Sequence, residues 1–337
     1  MAALVWALLL LPCCEALVVI EHASHQRHRP PPGMPHAEVP ARLEAAKAAL
    51  KGSSFASSLR WRTTAEVDRS IAEVALERVH SPELIASIKQ LSARGGGIDS
   101  DTYVAPGSWD VCLDAAGAWL EATSLAADGC GPALALARPP GHHATRAAAM
   151  GFCLANFAAA AAADFLETHP ERKISILDWD VHHGNGVADI LAHEPRARYC
   201  STHERGSFPS TGLNHMERGP LGNLLHLTLP TGSSGTTYLK RLRGEALPFL
   251  LGDFSPDVLL ICAGYDALDN DPLAGLALHP DDFYTTVRAI VDEFGFPKER
   301  IALGLEGGYD LDAFAGLPGG LMRTCAALVE VTDQQVA

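Results

Sequence analysis

Between Leu17 and Leu305 the chain alternates apolar runs of strand length with longer helical stretches, and the central runs break off into Gly, Pro, Asp or His. The runs are 17–21, 132–137, 174–178, 199–201, 224–229, 258–263 and 301–305. Helical composition fills 41–50, 64–78, 82–92, 109–127, 154–169, 186–193, 236–252, 280–294 and 310–329. Apolar strands separated by helices predict an α/β domain: a mostly parallel central sheet with helices on both faces. No Gly/Ser-rich linker or internal repeat divides the 337 residues, 47% of them hydrophobic, so a single domain burying a large core is expected. That domain is expected over 17–330, with a short tail at 331–337.

The strand ends carry the chemistry. In Ile176-Leu-Asp-Trp-Asp-Val-His-His-Gly-Asn-Gly186, strand alternation puts Asp178, Asp180 and His182 on one face. Such a set is costly to bury unpaired, and a divalent cation removes the cost. His142 and His143 follow the 132–137 run, Ser201 to His203 the 199–201 run, Asp266 the 258–263 run and Tyr309 the last. Ligands bind outside the carboxyl ends of strands in open α/β sheets, so all these groups are expected around one site.

Asp180, His182 and Asp266 are the expected metal ligands, with coordination room left for water and substrate. Asp269 and Asp271 are rival carboxylates, further from the strand end than Asp266. Without a thiolate, Zn(II) and Fe(II) both suit the set. Adjacent histidines after the rigid Arg138-Pro-Pro-Gly141 turn suit proton transfer. Tyr309, after Gly307-Gly308, can donate to a developing oxyanion. Met150-Gly-Phe-Cys153 and Phe208-Pro209 supply apolar walls.

A formal net charge of −14 argues against a nucleic-acid backbone as the main partner and is compatible with a basic peptide or a polyamine. The 8 cysteines form no C-x-x-C pair and read as small core residues of a reducing compartment. The apolar run Ala2–Leu11 is too short to span a bilayer, so no membrane span is expected. No basic residue precedes it. A cleaved targeting segment over 1–16 and an apolar lead-in to the first strand fit it equally, which leaves nucleus, cytoplasm or an organelle open.

Taken together, eight segments resemble the histone deacetylase superfamily, most closely its class II-like branch. They are Glu38-Val-Pro-Ala-Arg42, Asp101-Thr-Tyr103, Arg138-Pro-Pro-Gly-His-His-Ala144, Gly151-Phe-Cys153 and Asp178-Trp-Asp-Val-His-His-Gly-Asn-Gly186. They continue with Ser201-Thr-His203 plus Phe208-Pro209 and Thr211-Gly212, Ala263-Gly-Tyr-Asp266 plus Asp271-Pro-Leu273, and Leu305-Glu-Gly-Gly-Tyr309. The order is that of the family and covers nearly all the chain after Leu17. Asn185 and Tyr265 match class II better than class I, and Leu154-Ala155-Asn156 lacks the paired asparagines frequent there.

The resemblance implies an arginase/deacetylase-like fold with about eight strands and a zinc-dependent amidohydrolase that removes acetyl from Nε-acetyl-lysine. Its substrates would be proteins or peptides, histone tails among them, in chromatin regulation. Asp180, His182 and Asp266 would bind Zn(II), His143 would be general base and acid, His142 its electrostatic partner, and Tyr309 the donor to the acetyl oxygen. Asp178 would orient His142, and Asn185 would face His143. A structural K(I) would involve Asp178, Ser201 and Thr202. Gly151, Phe152 and Phe208 would form the substrate channel, with Asp101 at its rim and Leu273 at its mouth. The competing expectation is an acetylpolyamine or other small-molecule amidohydrolase of the same fold. Oligomeric state is not legible in the residues.

Overall fold

The computed structural model describes residues 16–64, 68–316 and 319–330. The apolar N-terminal run and the tail at 331–337 lie outside the described residues. The strands are β1 Leu17–Glu21, β2 Leu59–Thr63, β3 Gly96–Gly97, β4 Tyr103–Val104, β5 Ala133–Leu136, β6 Ile174–Asp178, β7 Ala197–Glu204, β8 Leu224–Leu229, β9 Val258–Ala263 and β10 Ile301–Leu305. Eight form one sheet in the order β2-β1-β5-β10-β9-β6-β7-β8, and every neighbouring pair is parallel. The expected α/β architecture is the one observed.

Alternation along each strand builds two cores. Leu17, Val19, Leu177, Ile261 and Leu303 face one side of the sheet. Val18, Ile20, Ile176, Leu260 and Ala302 face the other. Helices α1 Ala41–Gly52, α7 Gly235–Arg241, α8 Leu247–Leu251, α9 Pro280–Arg288, α10 Leu311–Ala315 and α11 Gly320–Leu328 cover the first side. Helices α2 Arg69–Val79, α3 Pro82–Arg94, α4 Ser108–Ala127, α5 Phe157–Thr168 and α6 Asn185–Leu191 cover the second. Each fully buried Leu or Ile contributes about 1.5–3 kcal/mol of apolar burial. Gly304 shows how close the layers come: a Cβ there would lie 2.0 Å from the Trp119 ring of α4.

Four expectations need correction. The eighth strand, β2, lies at the sheet edge, and its Leu-Arg-Trp-Arg-Thr pattern is half-exposed because only one neighbour covers it. The helix expected over 64–78 starts at Arg69, where the Asp68 side chain accepts from Ser70 N. The single helix expected over 310–329 is two, α10 and α11, the first ending at Gly316. Strand β6 ends at Asp178, so Asp180 and His182 reach the site from the following turn. Among the described residues, no helix is long and apolar enough to cross a membrane.

Candidate active site

The central strands β5, β10, β9 and β6 stand side by side, and the loops beyond their carboxyl ends converge. Asp180, His182 and Asp266 bring their donor atoms within 4.8 Å of one another, all buried. His182 Nδ1 lies 3.2 Å from Asp180 Oδ1 and 3.2 Å from Asp266 Oδ2. The structure therefore places Asp266 beside the other two. Asp269 is exposed, and Asp271 instead accepts from Tyr309 N at 2.7 Å. Backbone N–H groups fix both carboxylates: Gly307 N donates to Asp180 (2.9 Å) and Val181 N to Asp266 (3.0 Å). A Cβ on Gly307 would sit 2.0 Å from Asp266 Oδ2, so the loop can approach only as glycine.

These residues fit a divalent cation. Burial and then the Asp180 charge push the Asp266 carboxyl up to about 7, the mark of two buried carboxylates facing each other. A dication between them removes that repulsion. His142, Cys153 and Glu306 form a second buried group with metal-ligand types, in which burial drives the Cys153 thiol well above its ordinary value. Chelation should lower the melting temperature of the protein, and cation at a thousandfold excess over Kd should restore it by adding about 4 kcal/mol of folding stability. Asp180→Asn should blunt that recovery in calorimetry.

The two imidazoles sit in different fields. Burial alone would lower His142, but Asp180 and then Asp178 outweigh it and hold it near 10, a cation at neutral pH. Its Nδ1 donates to Asp178 Oδ2 at 3.1 Å, and that oxygen also accepts from Tyr199 OH at 2.7 Å. His143 is lowered well below its ordinary value, first by burial and then by the charges on His142 and His182. Its Nδ1 faces Asn185 Oδ1 at 2.9 Å, an acceptor, so Nδ1 carries the proton and Nε2 is free to accept one. The carboxylates around His142 thus favour its charged form, while the surroundings of His143 favour the neutral ring.

Tyr309 follows the Gly-Gly turn with its backbone tied to Asp271, and its ring lies 4.7 Å from the Arg42 guanidinium carbon. Arg42 Nε donates to Gly308 O (2.7 Å) and Nη2 to Glu306 O (2.5 Å), which fixes this turn from beneath. Arg42 in turn meets Glu38, and Glu38 takes both arms of the Arg138 guanidinium, with Nε to Oε1 at 2.7 Å. Tyr103 OH donates to Glu38 Oε2 at 3.0 Å. The motifs around residues 38–42, 101–103 and 138 were legible in sequence, but their meeting in one buried cluster was not. Nothing in the spacing of Glu38 and Arg138 signals that they pair.

Phe208 packs edge-on against His143, ring centroids 4.9 Å apart, and Phe152 edge-on against Tyr309 at 5.6 Å. Gly151 has φ +55°, and a Cβ there would lie 2.5 Å from the Phe208 ring and 2.6 Å from His143. Any side chain at 151 would press on both Phe208 and His143. Phe152 N donates to Thr102 Oγ1 (3.2 Å), whose hydroxyl donates to exposed Asp101. Leu273 is 39% exposed. Ser201 pairs in register with Asp178, and Thr202 Oγ1 donates to Asp178 O at 3.3 Å.

A family model described as "Histone deacetylase domain" matches residues 36–324. An uncharacterized protein of Synechocystis sp. is 39% identical over 300 residues, 89% of this chain and 96% of its own length. A histone deacetylase-like amidohydrolase of Pseudomonas aeruginosa is 32% identical over 83% of this chain and 74% of its own. The crystal structure of the HDA15 HD domain superposes with a TM-score of 0.83 at 28% identity, covering 95% of this chain and 90% of that one.

Proposed function

This chain belongs to the histone deacetylase family of hydrolases, and from that premise we propose that it is a zinc-dependent lysine deacetylase acting on Nε-acetyl-lysine in proteins or peptides. One observation carries the reading: the buried Asp180–His182–Asp266 triplet stands beside a neutral imidazole, His143, whose ring lies 5.8 Å from that of His182. When bound, Zn(II) supplies the Lewis acidity that polarises the acetyl carbonyl and acidifies the attacking water. His143 Nε2 receives the proton of that water, and the resulting imidazolium gives it to the departing amine. Cationic His142 and the Tyr309 hydroxyl stabilise the negative charge that develops on the acetyl oxygen. Phe152 and Phe208 offer apolar faces to the methylene stem of lysine.

Asp101 is proposed to grip the substrate backbone at the rim, and Asp178, Ser201 and Thr202 to hold K(I). Leu273 stands where polyamine-specific relatives tend to carry an acid, which favours acetyl-lysine over acetylpolyamine. The partner is an acetylated protein, histone tails included, and not a nucleic acid. Zinc-loaded protein should turn over an acetyl-lysine peptide faster than an acetylpolyamine. Tyr309→Phe should lose about 10²–10³ in kcat on the same peptide. Polyamine turnover alone would move the protein to the small-molecule reading, and silence on both substrates with zinc bound would overturn the enzyme reading.

A further inference from the structure

Glu306 is wholly buried at the end of β10, and the mechanism above gives it no task. Its backbone is fixed: N donates to Ala263 O (3.1 Å), and its carbonyl accepts from Arg42. Its side chain turns to the loop after the neighbouring strand β5, where Oε2 accepts from Gly141 N at 2.6 Å and His142 N at 3.2 Å. Oε1 has no hydrogen-bond partner among the described residues, and Glu306 as a residue groups with buried His142 and Cys153. One carboxylate thus spans two loops. It leaves the Tyr309 turn and clamps the two amide groups at the start of the histidine pair.

We infer that Glu306 is a positioning residue, holding the His142–His143 turn in register with the Tyr309 turn through Oε2 alone. The inference rests on the deacetylase reading, in which base and oxyanion donor must flank one carbonyl. A misplacement of about 1 Å in such a pair costs about a hundredfold in rate. The bonded oxygen does the positioning, and the unpaired one adds nothing to the turn.

Two substitutions separate reach from charge. Glu306→Gln keeps the span, and its amide oxygen can accept both N–H groups. Glu306→Asp keeps the charge but is one methylene too short. With zinc-loaded full chain and an acetyl-lysine peptide, the aspartate variant should lose about 30-fold or more in kcat with KM within about threefold. The glutamine variant should stay within about fivefold of wild type in kcat. The NMR signal of the His142 imidazole N–H bonded to Asp178 should broaden or move in the aspartate variant and persist in the glutamine one. Glutamine falling as far as aspartate would show that charge acts, and overturn the inference. So would an unchanged His142 signal and kcat in the aspartate variant. If wild type itself leaves the peptide untouched, the deacetylase reading fails, while the imidazole signal still decides the role of Glu306.

Discussion

His143→Ala is expected to lower kcat on an acetyl-lysine peptide by about 10²–10⁴-fold, the range over which a positioned proton-transfer group acts. Loss should fall on kcat more than on KM, because the ring borders the reacting group and Phe208 still lines the stem. A companion change tests the same ring without removing it. Asn185 is the neutral acceptor on Nδ1, 2.9 Å away. Asn185→Asp would put an anion there, which favours the protonated ring and raises its pKa. The base works deprotonated, so kcat/KM rises with pH as His143 loses its proton. A raised pKa therefore moves this acidic limb to higher pH. A limb that stays put in pH–rate profiles would remove His143 from the role of base.

Glu38→Ala is expected to destabilise the fold by about 3–5 kcal/mol in denaturant titration, because Arg138 is left buried without its anion. Arg138 Nη1 also donates to His25 O and His28 O, both at 2.5 Å, so the long N-terminal loop hangs on the same guanidinium. Burial alone would raise the Glu38 carboxyl, but Arg138, then His28 and Arg42, outweigh it and hold it near 2, below its ordinary 4.5. A folded value depressed in this way contributes stability above pH 4.5 and loses it as pH falls toward 2. Wild type should lose that contribution across this window, whereas Glu38→Ala should show a flatter acid dependence there. Equal slopes would place the acid sensitivity of the fold elsewhere.

Much of the architecture was legible because a buried parallel strand is apolar on both faces. Runs such as Ile174–Asp178 and Val258–Ala263 have the length and apolar content of such strands, and the structure keeps their bounds. The convergence of the candidate site was legible for a related reason: Asp180, His182, Asp266 and the histidine pair are polar groups in the turns that follow such runs. Strand β2 escaped because its alternating Arg and apolar residues carry no such run. Glu306 escaped although Leu305-Glu-Gly-Gly-Tyr309 was singled out, since Tyr309 drew the chemistry and the reach of the carboxylate to Gly141 exists only after β5 and β10 pair. Tyr199, inside an apolar run, gave no hint that its hydroxyl supports Asp178.

The same strand β2 bears on how molecules of this protein behave toward each other. Among the described residues it pairs with one neighbouring strand, β1, so its outer border is the usual template for adding a foreign strand. Arg60 and Arg62 are both exposed there, and Arg62 is anchored to Glu121 at 2.6 Å while Lys51 lies 4.8 Å over the Trp61 ring. A second copy pairing along this border would bring like guanidiniums together and strip Trp61 of its cation. The border thereby resists edge-to-edge aggregation, and exchanging both arginines for valine would turn it into a sticky seam.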